Sequence, residues 1–95
     1  MNRNELQALI KSELRSIQPD KLPVDWSEHA LLREDLALDS LDLVEMIARL
    51  EQATGVFVPD VDVPQLATVH ATAEYLLARQ AVSAVVAAVA AASLT

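Results

Sequence analysis

Glu34-Asp35-Leu36-Ala37-Leu38-Asp39-Ser40-Leu41-Asp42-Leu43-Val44-Glu45, near the middle of a 95-residue chain, reads as the approach to a helix and its first turns. An Asp-Ser pair ahead of apolar residues at helical spacing is a helix start, because either side-chain oxygen can accept a hydrogen bond from an unpaired first-turn N–H. Asp39 and Ser40 are therefore alternative caps. Asp42 and Glu45 fall in the first turns, where negative charge complements the positive end of the helix dipole. Wound at about 100° per residue, the helix separates its apolar residues into two stripes. Leu43, Met46, Ile47 and Leu50 form a core stripe. Leu41, Val44 and Ala48 form a second, roughly 140° round from the first, flanked by Glu45 and Glu51 with Asp42 a little further off. A bundle helix needs one core stripe, and a second rimmed by carboxylates has the composition of a surface that a basic protein covers.

Outward from this helix, Asn2 with Glu5 reads as a capping arrangement, and Leu6, Leu9, Ile10, Leu14 and Ile17 follow at helical spacing, predicting a first helix over about residues 3 to 17. Pro19 and Pro23 stop it, and a long connection over about residues 18 to 38 carries Trp26, Leu31, Leu32, Leu36 and Leu38. Gly55, the only glycine, falls where the second helix should end and reads as its C-terminal cap. Val56, Phe57 and Val58 form a short apolar run with no partner strand, expected to tuck into the core. Residues 60 to 66 can form at most a short, irregular helix, because Pro64 interrupts them. Thr68 caps a final helix with Val69, Ala73, Leu76 and Leu77 inward and Glu74 and Arg79 outward. From Gln80 to Thr95 there is no charge, and this alanine- and valine-rich stretch extends that helix to about residue 90. Its sixteen residues fall short of the roughly 20 that span a bilayer, so no transmembrane segment is expected.

The three aromatics are Trp26, Phe57 and Tyr75, so the core is expected to be aliphatic. Net charge is −7, and all of it lies between Glu28 and Asp62, where nine acidic residues face only Arg33 and Arg49. Such a field repels nucleic acid and anionic membranes and steers basic proteins towards the segment around Ser40. The absence of cysteine removes disulfides and thiolate metal sites, and no apolar signal segment follows Met-Asn-Arg-Asn-Glu; a cytoplasmic monomer is expected.

On these residues the chain resembles an acyl carrier protein. Asp39-Ser40-Leu41 matches the family's signature at the start of its second helix, and Glu34-Asp35-Leu36, Val44-Glu45, Val58-Pro59-Asp60 and Thr68-Val69 extend the match over about residues 5 to 78. Ala37 stands where the family commonly has glycine, and Asp-Val-Asp-Val after Pro59 is less acidic than usual. The resemblance implies an all-α, small four-helix bundle of three main helices plus a short third one. The carrier domain is expected over residues 1–80, and the alanine- and valine-rich residues 81–95, which the resemblance does not explain, are expected as a C-terminal helical extension. The resemblance also implies 4'-phosphopantetheine, taken from coenzyme A and esterified to Ser40 between Asp39 and Leu41, and holding acyl groups as thioesters. The implied partners are a phosphopantetheinyl transferase and acyl-loading and acyl-processing enzymes with basic docking surfaces. They would meet Asp42, Val44, Glu45, Ala48 and Glu51. The pathway would be fatty acid, polyketide or related biosynthesis, and the chain itself no enzyme.

Three alternatives stand beside this. A peptidyl carrier commonly has glycine-rich residues and histidine before the serine, whereas here Leu38-Asp39 precede it. A small hydrolase could use Ser40 with His29 or His70 as base, but no glycine-rich elbow surrounds the serine. An unmodified adaptor could bind through the Leu41/Val44/Ala48 stripe. The carboxylates near Ser40 read as a solvated helix N-terminus, not a magnesium site, since nothing closes a ligand set; no metal site is expected.

Overall fold

In a computed structural model, described for the backbone of residues 1–93 and for the side chains of residues 1–80 and Val89, the chain is all-helical. Helix α1 spans Arg3–Ile17, α2 Ser40–Thr54 and α3 Val69–Ser93, with a short 3₁₀ helix at Asp60–Gln65 between α2 and α3. Helix α1 packs against both α2 and α3, which places the core between the three.

Each boundary has a local cause. Asn2 accepts the Glu5 N–H at 2.8 Å while Glu5 Oε1 accepts the Asn2 N–H at 3.0 Å, satisfying two otherwise unpaired donors at the start of α1. Helix α2 ends at Gly55, whose φ of 73° is the left-handed conformation that lets its N–H return to Glu51 O at 2.9 Å. A Cβ there would meet nothing within 4 Å, so conformation and not crowding calls for glycine. The segment after Pro59 stays 3₁₀ because Pro64 has no N–H to give; the bonds present are i to i−3, Asp62 N–H to Pro59 O and Leu66 N–H to Val63 O. Thr68 Oγ1 accepts the Ala71 N–H at 2.9 Å and starts α3.

Leu6, Ile10 and Leu14 of α1, Met46, Ile47 and Leu50 of α2, and Val69, Ala73 and Leu76 of α3 fill the core. The long connection is packed, not free: Leu22, Leu32, Leu36 and Leu38 are buried with them. It is held to α1 by Lys11, whose Nζ donates to Trp26 O at 2.8 Å, and by Arg15, which donates to the carbonyls of Pro23 and Val24. Both cations also lie 5.3 Å from the Trp26 ring centre.

Two expectations need correction. The core is not wholly aliphatic, because Trp26 and Tyr75 are buried too. Tyr75 is admitted because its hydroxyl donates to Asp62 Oδ2 at 2.7 Å. Nor does the Val56–Val58 run go inward as a block: Val56 and Val58 are buried and Phe57 is 74% exposed, the period-two alternation of a chain segment with one face on the core. Helix α3 runs unbroken past Gln80 as expected, but how the side chains beyond it pack lies outside the described residues. Among the described residues no helix is long and apolar enough to cross a membrane.

Candidate functional site

The turn into α2 settles which of Asp39 and Ser40 is the cap. Asp39 Oδ1 accepts the Asp42 N–H at 2.9 Å and Asp42 Oδ2 accepts the Asp39 N–H at 3.1 Å, a reciprocal capping box. Ser40 is thereby released from structural duty. It is the first residue of α2, exposed, with its hydroxyl in no hydrogen bond, and the capping box leaves the Ser40 and Leu41 N–H groups unused. An anion attached to Ser40 Oγ would lie at the positive end of the helix, beside N–H groups without intrahelical partners.

Asp42 is a correction. It was expected on the rim of the second stripe, yet it is only 6% exposed, because besides the capping box it accepts the Gln18 side-chain amide at 2.8 Å. Gln18 ends α1, so Asp42 joins the two helices instead of facing a partner. The Gln18 amide is the largest influence holding the Asp42 carboxyl below its usual 3.8, helped by the Asp39 N–H and Lys21 and opposed by burial. The unfolded state therefore takes up this proton more readily than the folded one. The stabilisation is complete above about pH 4 and is lost as pH falls through the lowered folded value. Below about pH 4 the melting temperature of the wild-type protein is expected to fall more steeply than that of Asp42→Asn, followed by circular dichroism.

Ala37, two residues before the cap, has φ 55°, the one non-glycine residue with positive φ among those described. It turns the chain between two buried side chains, Leu36 and Leu38. Alanine in this conformation costs about 1–2 kcal/mol, part of which glycine regains after its larger entropy loss. Ala37→Gly is expected to stabilise the fold by about 1 kcal/mol, a rise of roughly 4–8 °C in melting temperature.

Along α2 the two stripes separate. Met46, Ile47 and Leu50 are buried and Leu43 partly so, whereas Leu41 is 78% and Val44 63% exposed and Ala48 lies open beside them. Phe57, which sequence reasoning sent to the core, joins the exposed face: with Val44, Ala48 and Glu51 it lines a groove between α2 and the segment after Gly55. The rim carboxylates are tethered. Glu45 pairs with Arg49 at 3.1 Å, and Glu51 Oε2 accepts the Val58 N–H at 2.9 Å. A separate cavity of about 280 Å³ opens between the connection and the 3₁₀ segment, with Leu31, Leu32, Leu43, Val63 and Leu66 in its walls. A larger hollow of about 540 Å³ lies among Glu13, Arg49, Gln52 and Ala53, where Arg49 pairs with Glu13 at 3.2 Å.

His29 and His70, some forty residues apart, were weighed only as alternative bases for Ser40. The structure brings them together, ring centres 4.8 Å apart, around Glu28, and neither forms a hydrogen bond with Ser40. Among the described residues Ser40 thus faces solvent at the tip of a capped helix, with no base hydrogen-bonded to it.

The comparisons agree. Residues 4–76 match the family model described as a phosphopantetheine attachment site. The chain is 41% identical over 83 residues to an acyl carrier protein of Rubrobacter xylanophilus, covering 84% of this chain and 98% of that one. It is 41% identical over 70 residues to an acyl carrier protein of Thermotoga maritima, covering 70% and 86%. To a mitochondrial acyl carrier protein of Neurospora crassa it is 30% identical over 79 residues, which is 83% of this chain and 59% of that one. The chain belongs to the acyl carrier protein family, whose members bear a covalently attached phosphopantetheine and are carriers, not enzymes.

Proposed function

We propose that Ser40 is the attachment point and that the chain presents acyl intermediates, held as thioesters, to successive enzymes of fatty acid, polyketide or related biosynthesis. The observation that carries this is the division of labour at the start of α2: Asp39 caps, Asp42 anchors, and Ser40 alone is exposed with a free hydroxyl. When bound, the prosthetic group supplies the thiol that takes the acyl group. The chain's own residues hold its phosphodiester at the helix N-terminus and keep the attachment oxygen clear of neighbours. Leu41, Val44, Ala48 and Phe57 supply an apolar docking face, and Glu45 and Glu51 a charged rim for a phosphopantetheinyl transferase and for acyl-loading and acyl-processing enzymes with basic surfaces. The 280 Å³ cavity, lined mainly by leucines, Val63, Pro64 and Ala67 with Arg33 and Glu34 also in its walls, suits an acyl chain. Intact-mass measurement after exposure to coenzyme A and a phosphopantetheinyl transferase tests the reading. One arm per chain, mapped to the peptide containing Ser40, is expected; no gain in mass would leave the adaptor reading instead.

The carrier unit itself is placed at residues 1–80, supported by the end of the family match at residue 76. Truncation after Gln80 is expected to leave both the cooperative thermal transition and acceptance of the arm intact; loss of either would put the extension inside the folded unit.

A further inference from the structure

We propose that Glu28, His29 and His70 form a binding site for a borderline-soft divalent transition metal of the Zn²⁺ type, which ties the α1–α2 connection to the start of α3. Glu28 Oε1 lies 3.3 Å from His29 Nε2 and 3.4 Å from His70 Nδ1. Bonds of 2.0–2.2 Å from Zn²⁺ to nitrogen and oxygen place the ligand atoms of a tetrahedral site about 3.3–3.5 Å apart, so two of the three protein edges already have the required length. The third needs only a short closure, since all three ligand atoms lie within 4.8 Å of one another. His29, with its side chain 67% exposed, is free to make that movement.

The site is set from the backbone. The His70 N–H donates to Glu28 O at 2.9 Å, and one turn further along the connection the Leu32 N–H donates to Ala67 O at 2.9 Å, so the two segments that supply ligands are held in register. His70 Nδ1 is shielded from water and has no hydrogen-bond partner although it lies 3.4 Å from Glu28 Oε1, so this buried polar atom faces the cluster unsatisfied. Two imidazoles and one carboxylate favour zinc or cobalt over the oxygen-seeking magnesium and calcium. Three protein ligands leave the fourth position to water. The chain has no cysteine to compete for the ion.

The test is a titration of the full-length chain with Zn²⁺ and with Co²⁺. It uses the unmodified chain and the arm-bearing chain with its thiol alkylated, so that the thiol cannot bind metal. One ion per chain is expected, with the intense visible bands of tetrahedral Co²⁺ and a melting temperature raised by about 5 °C or more at roughly tenfold excess over Kd. Mg²⁺ or Ca²⁺ at equal concentration is expected to leave the Co²⁺ spectrum unchanged. His29→Gln, at an exposed position, and His70→Gln should each weaken binding by at least the roughly 10–100-fold that loss of an outer-shell partner costs. Absence of the tetrahedral spectrum, displacement by Mg²⁺, or an affinity unmoved by His29→Gln would each overturn the proposal, leaving the cluster a contact between a carboxylate and two imidazoles.

Discussion

Ile47→Asp is expected to abolish the cooperative thermal transition, while Val44→Asp, three residues away on the same helix, is expected to leave it within a few degrees of wild type. Ile47 is 9% exposed and Val44 63% exposed. A carboxylate at the first position has no partner in an apolar core, and the cost of about 4–5 kcal/mol or more takes most of what holds a domain of this size together. At the second position the new charge stays in water and changes stability by about 0.5 kcal/mol at most. What Val44→Asp should remove is docking, because it puts a charge in the middle of the apolar strip formed with Leu41, Ala48 and Phe57. Calorimetry of the two variants, with transferase kinetics on Val44→Asp, checks both halves. Equal destabilisation would mean that the second stripe belongs to the core.

Ser40→Ala is expected to fold as well as wild type and to gain no mass with coenzyme A and transferase, a complete loss of modification. The hydroxyl makes no hydrogen bond and the cap is Asp39, so removing it costs within about 0.5 kcal/mol. Asp39→Ala is the contrasting control. It breaks the capping box and should cost about 1 kcal/mol while leaving the attachment oxygen in place. Modification of Ser40→Ala would move the attachment site elsewhere.

The helix ends were legible in the sequence because each rests on residues within a few positions of one another: Asn2 with Glu5, the Asp39-Ser40 pair though not which of the two caps, Gly55 after Thr54, Thr68 before Ala71. The same locality made Ser40 and the two stripes of α2 readable. What escaped depends on contacts distant in sequence. Asp42 looked like a rim carboxylate because Gln18, the partner that buries it, lies 24 residues away. Phe57 was misplaced because a three-residue apolar run carries too little pattern to say which side faces in. Glu28 and His70 meet only once the connection has folded onto α3. Alanine itself does not announce the positive φ of Ala37; the only signal was that it stands where the family commonly has glycine.

The tethering of the carboxylates around the proposed docking face bears on how long a partner stays. Glu45 is held by Arg49 and Glu51 by the Val58 N–H. Side chains already fixed lose little rotamer freedom on contact, so less entropy opposes the encounter from this side. Acceptors already engaged, in turn, have less to offer as new short-range bonds once contact is made. Field strength governs arrival and close bonding governs departure, and here the first is large while the second is restrained. If this face docks as proposed, such a carrier would be captured quickly and released quickly, the dwell-time profile that visiting one enzyme after another demands.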